Sequence, residues 1–489
     1  MTVPQEVLNL KSTTLRKDLI DYSRPPERKR VLANNFKFSD FIEKTKAGIS
    51  LGQDEIFGFV NKVTAKELPD IQTTAWLMAV RMRNEVKPLT IEETTNLTLA
   101  MAASGDILDL SEFKHVVDKH SSGGVGDKTT LVVASIVAAA GATGDLTVAK
   151  MSGRGLGITG GTLDKMEAIP DMDGKVPGLN VKLTEQEFRQ QAKDIGIVVT
   201  GQTGTMAPAD GILYALRDIT GTVDSIPLIA ASIMSKKIAS GATDLVLDVK
   251  VGKGAFMKTE EDAFKLAETM VEIGRKVGIN VVAEITNMDQ PLGEAVGNAL
   301  EVIEAIETLK NGGPEDFRTH CVETAARMLV ISSEKKIGLE EATALVEKVL
   351  EDGSALDKFR QMIKAQGGND QVIDFPELMI VEHEYPVIYE GEETIYIGDV
   401  NAETIGEAVR DLGGGRIKSK EEKINHAVGM KVKAKVGRTI SKGKPLGFVY
   451  CDDPEKAKVA IQALQKAVSF SREAVEIPKI TIGTYPAVI

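Results

Sequence analysis

The chain has few of the features that mark secreted or membrane-spanning proteins. Only two of its 489 residues are cysteines, Cys321 and Cys451, and two cysteines alone form neither a disulfide framework nor a structural zinc site. The N-terminal segment lacks the apolar core of a secretory signal. The longest uncharged stretch covers residues 129–144 and is shorter than the ~20 apolar residues that span a bilayer. We therefore expect a cytoplasmic protein.

An excess of positive charge is also missing. The chain has 59 Lys and Arg against 71 Asp and Glu, a net charge of −12, so neither nucleic acid nor an anionic membrane is an expected partner. Hydrophobic residues make up 43% and charged residues 27%, which is typical of a soluble globular protein. The length predicts about three domains.

Helical and strand patterns occupy different parts of the chain. From Phe36 to Gly105 the pattern is helical, with a capping box at Thr90 and Glu93 and Gly105 at the expected helix end. The apolar runs 197–200 and 245–247 resemble strands buried on both faces. Strands that alternate with helices indicate an α/β domain.

Beyond about residue 380 the pattern changes again. Residues 430–436 alternate with period two, which predicts a strand in a small α+β domain. At the other end, residues 1–35 contain a Pro-Pro break and a short basic run, typical of a solvated tail. We treat them as an N-terminal extension.

The most informative stretch is residues 119–130, where a glycine-rich turn precedes an apolar helix. Lys119, His120, Ser121 and Thr130 flank the glycines. Glycines let the backbone approach a ligand, amides at a helix start point outward, and hydroxyls add further donors. The stretch predicts an anion site, with phosphate as the natural ligand. The alternative interpretation is a tight turn with solvated polar side chains.

A second glycine-rich loop lies at residues 152–164, with Ser152 and Thr162 at either end of its glycines. Two hydroxyl-rich loops in one α/β domain can converge on one anion. The loop matches neither the Walker motif nor the dinucleotide fingerprint. We expect Arg154 to have a structural role, in an ion pair with Asp164 or Glu167.

A third cluster joins residues 214–218 to residues 232–237. It contains an arginine and two lysines, whose donors can hold the carbonyl oxygens of a planar heterocycle and stabilise negative charge that develops there. The alternative interpretation is a solvated helix face.

These stretches carry a resemblance to a known family. Residues 117–127, 152–167, 208–217 and 231–237 form four ordered blocks that resemble the motifs of the thymidine and pyrimidine-nucleoside phosphorylases, and the likeness extends from Phe36 to the C-terminus.

The resemblance implies an α/β plus all-α architecture. A helical, dimer-forming domain is expected at 36–105 and 209–239, hinged to a mixed-sheet α/β domain at 106–208 and 240–379 that binds phosphate. A small, hammerhead-like α+β domain is expected at 380–489. The active site would lie in the cleft.

The resemblance also implies the site residues. The places that hold phosphate are Lys119, Ser121, Thr130, Ser152, Thr162 and Lys237. The places that hold the pyrimidine are His120, Leu156, Tyr214, Arg217, Ser232 and Lys236, of which His120, Arg217 and Lys236 are the expected catalytic residues. The implied reaction is reversible phosphorolysis of pyrimidine nucleosides by a homodimer, with inorganic phosphate as co-substrate and no other cofactor.

Four positions depart from the family pattern, of which Ser122 stands where threonine is usual and Met166 where a branched aliphatic residue is usual. Ile158 stands where relatives commonly have histidine, which removes a polar group beside the second loop. Lys128 stands where some relatives have a small hydroxyl residue that helps to bind potassium. We expect no metal here and hypothesise that an ion pair between Lys128 and Glu304 replaces the cation. A solvated Lys128 is the alternative.

Two other functions stay open. A phosphoribosyltransferase would share glycine-rich loops, but its magnesium-bound pyrophosphate favours an acidic pair, and the run 247–250 offers only Asp248. A catalytically inactive binding protein with the same fold is favoured only by Ile158.

Overall fold

A computed structural model describes residues 36–487 except residues 85, 142–145, 156, 335 and 418–421. The predicted N-terminal extension and Leu156 therefore lie outside the described residues. The chain forms two compact units. One contains the chain up to Val116 with Gln202–Leu245 and Phe264–Val281, and we call it the helical unit. The other contains Val117–Gly201, Val246–Ala263 and the chain from Val282 onward, and we call it the α/β unit.

The helical unit is built around an aromatic core. Phe41, Phe59 and Trp76 are buried, with the rings of Phe59 and Trp76 4.4 Å apart. The first helices are α1 (Phe38–Lys46), α2 (Gln53–Thr64), α3 (Asp70–Arg83) and α4 (Ile91–Ala102). The predicted capping box at Thr90 and Glu93 is confirmed.

The end of α4 differs from the prediction. The helix stops at Ala102, before Gly105, because the chain at Gly105 lies against another backbone segment. A Cβ on Gly105 would be 1.9 Å from the carbonyl oxygen of Thr205, so only glycine fits there.

The α/β region contains a six-stranded mixed sheet. Its strands are β1 (His115–Ser121), β2 (Leu146–Ser152), β3 (Ile197–Gly201), β4 (Asp244–Val251), β5 (Asn280–Asn287) and β13 (Thr481–Tyr485), in the order β13-β5-β4-β1-β2-β3. β2 and β3 are parallel, whereas β13 is antiparallel to β5. The strand predictions for 197–200 and 245–247 are confirmed, and β4 is buried along its whole length.

Helices connect these strands. They are α5 (Thr129–Ala140), α6 (Thr162–Glu167), α7 (Glu185–Ile195), α8 (Pro208–Thr220), α9 (Ile226–Ala239), α10 (Glu260–Val277), α11 (Asn298–Leu309), α12 (Glu315–Ser332), α13 (Leu339–Glu351) and α14 (Ser354–Ala365). Because α5 is apolar nearly all round, it is buried on every side and packs against α12 and α14. This packing fixes the position of its N-terminus.

The described residues of the C-terminal part contribute to two small sheets and form two α-helices. One sheet combines β6 (Ala295–Val296), β7 (Glu384–Ile388), β9 (Gly429–Val432) and β11 (Pro445–Tyr450). The other combines β8 (Ile395–Val400), β10 (Thr439–Ile440) and β12 (Val468–Ser471). The helices are α15 (Ala402–Val409) and α16 (Pro454–Ala467).

The predicted strand 430–436 is only partly correct. β9 ends at Val432 because the amides of Lys433 and Ala434 both donate to the carbonyl oxygen of Leu446, each at 2.9 Å. Two successive amides that share one acceptor disrupt the ladder as a β-bulge does. Among the described residues, no helix is long and apolar enough to cross a membrane.

Candidate active site

The first glycine-rich loop follows β1, whose last residues are Lys119, His120 and Ser121. The next residue, Ser122, is tied to β4, because its hydroxyl accepts from the amide of Lys250 at 2.8 Å. Gly126 has φ +75° and lies so close to residue 292 that a Cβ would be 2.8 Å from that carbonyl oxygen. The loop then enters α5, whose N-terminal amides favour an anion.

Lys119 is a buried cation, with only 2% of its surface exposed. Its ammonium group lies 2.8 Å from the Asp248 carboxylate and 3.7 Å from that of Asp127. Burial by itself lowers the pKa of Lys119, but the two carboxylates outweigh burial and hold the pKa above its ordinary value. Lys119 therefore keeps its positive charge at neutral pH.

Asp248 is the centre of a buried polar network. Its carboxylate lies 2.7 Å from the Lys250 ammonium and 3.1 Å from Nε2 of His320, and it accepts from the Thr286 hydroxyl at 2.6 Å. Burial by itself raises the pKa of Asp248. The positive charges of Lys119 and Lys250 lower it by more than burial raises it, so the pKa lies well below its ordinary value. Asp248 thus remains charged and holds Lys119 in place.

Asp248, Glu284 and His320 have donor atoms within 4.8 Å of one another, a spacing that a metal ion could use. Their charges are already balanced, however. Asp248 pairs with two lysines, and Arg327 Nη1 donates to the Glu284 carboxylate at 3.1 Å. A metal ion there would be repelled by the buried cations Lys119, Lys250 and Arg327, which already contact these carboxylates. The cluster is therefore better explained as support for Lys119.

The second glycine-rich loop runs from Ser152, the last residue of β2, to Thr162, the first residue of α6. Arg154 donates to Glu167 at 2.6 Å and to Asp164 at 3.2 Å, which confirms its expected structural role. β1 and β2 are neighbours in the sheet, so the two glycine-rich loops follow adjacent strands.

The third cluster lies on α8 and α9 of the helical unit. The ammonium of Lys236 is 2.6 Å from the Asp210 carboxylate and 3.0 Å from the Ser232 hydroxyl. The guanidinium carbon of Arg217 is 6.0 Å from the centre of the Tyr214 ring. The structure therefore places four predicted pyrimidine-binding residues in two pairs, Tyr214 with Arg217 on α8 and Ser232 with Lys236 on α9.

Arg217 forms more hydrogen bonds to the backbone than the sequence indicates. Its guanidinium donates to the carbonyl oxygens of Thr222, Val223 and Leu228 at 3.2, 2.6 and 3.1 Å. Three of the five N–H groups of an arginine are thereby used to hold the connection between α8 and α9. Burial also lowers the pKa of Arg217.

The predicted residues divide between the two units. The α/β unit carries Lys119, His120, Ser121, Thr130, Ser152 and Thr162. The helical unit carries Tyr214, Arg217, Ser232, Lys236 and Lys237. Leu156 is outside the described residues. The ligand each residue binds stays a prediction.

Lys128 forms the ion pair that the sequence analysis hypothesised. Its ammonium contacts the Glu304 carboxylate and also donates to the carbonyl oxygens of Leu292 and Ala295 at 2.5 and 3.4 Å. The group lies 4.5 Å from the centre of the Phe317 ring. The alternative of a solvated Lys128 is wrong, because the side chain is buried.

Sequence reasoning did not identify the residues that hold the two glycine-rich loops in place. Asp248 and Lys250 had a weak local signal, since they are charged residues in an otherwise apolar strand. His320 and Arg416 had none. Arg416 is buried and forms an ion pair with Asp164 at 2.8 Å, although 252 positions separate the two residues in the sequence.

Comparison with known proteins defines the class. Residues 39–105 match the helical bundle domain of a glycosyl transferase family, and residues 113–356 match its α/β domain. Residues 396–471 match the pyrimidine nucleoside phosphorylase C-terminal domain. Anthranilate phosphoribosyltransferase from Thermus thermophilus shares the fold, with a TM-score of 0.53 and 17% identity over 66% of this chain and 98% of that one.

Closer relatives define the family. A pyrimidine-nucleoside phosphorylase from Geobacillus stearothermophilus is 46% identical over 90% of this chain and 98% of its own length. One from Bacillus subtilis is 48% identical over 84% of this chain and 92% of its own length. The chain belongs to the pyrimidine-nucleoside phosphorylase family, which confirms the resemblance and the predicted fold class.

Proposed function

We propose that this protein is a pentosyltransferase that catalyses reversible phosphorolysis of pyrimidine nucleosides. The substrates are thymidine and deoxyuridine, with uridine as a further substrate to test, and the products are the free base and a pentose 1-phosphate. The observation that carries the proposal is the buried Lys119 at the start of a glycine-rich loop, where two carboxylates favour its charged form at neutral pH. Two relatives that are 46 and 48% identical to this chain are named for the same activity.

The phosphate site is proposed on the α/β unit. Lys119 supplies a fixed positive charge, Ser121 and Thr130 flank the first loop, and Ser152 and Thr162 flank the second. Hydroxyls, loop amides and the N-terminus of α5 are suitable donors for an oxyanion. Lys237, on α9 of the helical unit, is the sixth proposed phosphate-binding residue.

The pyrimidine site is proposed to use Lys236, Arg217, Ser232 and Tyr214, with His120 and Leu156. Lys236 is the residue best prepared for catalysis, because Asp210 and Ser232 hold its ammonium in one position. A preorganised cation stabilises charge that develops in the transition state without reorganising. Arg217 supplies further positive charge beside the base.

The reaction transfers the pentose from nitrogen to oxygen. A phosphate oxygen forms a bond to C1′ as the bond between C1′ and the base nitrogen breaks, and the electron pair of that bond passes to the base. Lys236 and Arg217 stabilise the resulting negative charge, while His120 donates a hydrogen bond near O2. Because phosphate is the nucleophile, the chain has to orient two substrates and exclude water, the proximity effect that enzymes exploit.

We also propose a cytoplasmic homodimer formed by the helical unit. One face of α3 exposes Ile71, Met78 and Met82, which are 80, 39 and 67% exposed, and Val86 just beyond the helix is 88% exposed. Ile219 on α8 is 79% exposed. Exposed apolar residues grouped in this way mark an interaction surface. A second copy of the chain is the proposed partner.

The experiment is base release from thymidine, deoxyuridine and uridine, each with and without inorganic phosphate, followed by ultraviolet difference absorbance. Phosphate-dependent release is expected, and the ranking of the three substrates gives the selectivity. Release without phosphate would indicate a hydrolase. No release from folded protein would favour a transferase for another acceptor or an inactive binding protein, and Ile158→His would then be the first variant to test.

A further inference from the structure

The second glycine-rich loop is held by an arginine from the C-terminal part of the chain. Arg416 is 5% exposed and follows the turn after α15. Its guanidinium lies 2.8 Å from the Asp164 carboxylate and 3.5 Å from the carbonyl oxygen of Gly155. All three residues belong to the α/β unit.

Asp164 links Arg416 to the backbone of the loop. One carboxylate oxygen accepts from the amide of Gly155 at 2.7 Å, and the other faces Arg416 at 2.8 Å and Arg154 at 3.2 Å. Asp164 is 2% exposed, so loss of a cation would leave a buried charge undercompensated. Arg416 therefore affects the loop both through Asp164 and through its own bond to Gly155.

The loop has little freedom to absorb such a loss. A Cβ on Gly161 would be 2.1 Å from the amide nitrogen of Gly155, so the two ends of the loop lie in backbone contact. Ser152 and Thr162, both proposed phosphate-binding residues, flank this contact. A displacement of Gly155 would therefore move the hydroxyls on either side of it.

A second contact joins the same loop to α15. The backbone at Gly406 approaches Ile158 so closely that a Cβ there would be 3.2 Å from Cβ of Ile158 and 2.8 Å from its carbonyl oxygen. Ile158, a position that departs from the family pattern, thus packs against a C-terminal helix. The C-terminal part of the chain contacts the loop at two places.

We infer that Arg416 is a positioning residue for phosphate, which acts through Asp164 and Gly155 to fix the loop between Ser152 and Thr162. The inference rests on the proposed function, because it assigns phosphate to that loop. It also gives the C-terminal part of the chain a role in substrate binding as well as in folding.

The test compares Arg416→Ala, Arg416→Lys and Arg416→Gln with the full-length wild type. The matched control is Arg438→Ala, which removes another arginine of the C-terminal part, one that is 60% exposed and pairs with Glu315. Three quantities are measured: the KM for phosphate, the KM for thymidine, and the concentration of inorganic phosphate that gives half of the maximal thermal stabilisation without nucleoside.

Arg416→Ala should raise the KM for phosphate about tenfold or more, since small displacements of binding groups have large effects, while the KM for thymidine changes less than about twofold. The phosphate midpoint of thermal stabilisation should rise in parallel. Arg416→Lys should retain part of the affinity, and about 10 mM guanidinium, far below denaturing concentrations, should restore part of it to Arg416→Ala. Arg438→Ala should match the wild type.

A purely structural role would lower the melting temperature and leave both phosphate measurements unchanged, which would overturn the inference. Equal increases in the two KM values would overturn it as well. If Arg416→Ala does not fold, Arg416→Gln and Arg416→Lys give the same comparison. Wild-type protein that binds phosphate without releasing base would overturn the proposed function alone, and the binding midpoints would still test Arg416. Wild-type protein that does not bind phosphate would overturn both.

Discussion

The ammonium of Lys128 and the carboxylate of Glu304 form an ion pair in the interior of the α/β unit, with side chains that are 0% and 1% exposed. Glu304 also accepts from the backbone amides of Glu294 and Ala295, at 3.0 and 2.9 Å. The pair thus joins the residue before α5 to α11, and the amide contacts of Glu304 tie α11 to the segment that precedes it. We propose that this ammonium serves in place of a bound monovalent cation.

Replacing Lys128 should therefore destabilise the fold. Lys128→Met leaves the Glu304 carboxylate buried without its partner, and removal of one member of a buried pair costs about 3–5 kcal/mol. The free energy of unfolding, measured with urea, should fall by that amount. Base release by the wild type should proceed equally in potassium and sodium buffers.

The control for this prediction is Lys442→Met, because Lys442 pairs with Glu392 on the surface with 57% of its side chain exposed. That change should alter stability by less than about 1 kcal/mol. A wild-type rate that rises with added potassium, or a stable Lys128→Met variant, would contradict the proposal.

Local signals explain what the sequence predicts well. Thr90 and Glu93 lie three residues apart and cap a helix by themselves. The strand at 197–200 is a short apolar run between polar segments. Both glycine-rich loops could be identified because their glycines, hydroxyls and flanking apolar runs are neighbours in the chain. In each case the interaction that decides the structure lies within a few residues.

Long-range contacts explain what the sequence does not predict. Asp248 meets His320 from 72 residues away. β9 ends at Val432 because the carbonyl oxygen of Leu446, on β11, accepts from the next two amides. Period-two alternation in the sequence does not predict such a contact. Nothing in the neighbourhood of Arg416 indicates that its partner is Asp164. The loops could therefore be predicted, whereas the residues that hold them could not.

Lys119→Met should act mainly on phosphate. The substitution removes the only cation that the proposal places at the start of the first loop, and Asp248 then loses one of its two lysine partners. The KM for phosphate should rise by about tenfold or more, with a smaller effect on the KM for thymidine. Steady-state kinetics with each substrate varied in turn provides the measurement.

Because Lys119 is buried, circular dichroism and thermal unfolding must first show that the variant is folded. A folded Lys119→Met protein with wild-type affinity for phosphate would place the phosphate site elsewhere.

Lys236→Met should act mainly on the chemical step. The proposal gives Lys236 the role of stabilising charge on the departing base, and loss of one such donor lowers kcat about 10²- to 10³-fold. The KM for phosphate should stay within about twofold of the wild type. The control is Lys44→Met, which breaks another lysine-carboxylate pair of the helical unit, with Glu55 at 2.7 Å. Equal losses of kcat in both variants would argue against a specific role.

Met82→Glu should disrupt the proposed homodimer. Met82 is 67% exposed in the group of apolar residues on α3, and burying a new carboxylate between two copies is unfavourable. Light scattering coupled to size-exclusion chromatography should show a dimer for the wild type and a shift towards monomer for the variant. Val459→Glu is the control, since Val459 is 64% exposed on α16 outside that group. A monomeric wild type, or a fully dimeric Met82→Glu protein, would refute the assignment.

His426 should make the protein less stable in mild acid. Burial lowers the pKa of His426, although the carboxylates of Asp164 and Glu167 oppose the shift. The unfolded chain, with a histidine pKa of about 6.5, therefore binds the proton more readily than the folded one. Stability then rises with pH through this window and falls as the pH drops below about 6.5.

His426→Gln removes this titration and should reduce the fall in melting temperature between about pH 7.5 and pH 5.5. His383→Gln is the matched control, because His383 is 61% exposed beside Asp452 and should leave the fall unchanged. Differential scanning calorimetry across the pH range provides the measurement.

Since His426 lies near Asp164, which Arg416 also contacts, the same acid window should weaken phosphate binding in the wild type more than in His426→Gln. Identical pH profiles for the two proteins would show that protonation of His426 changes neither the stability of the fold nor the affinity for phosphate.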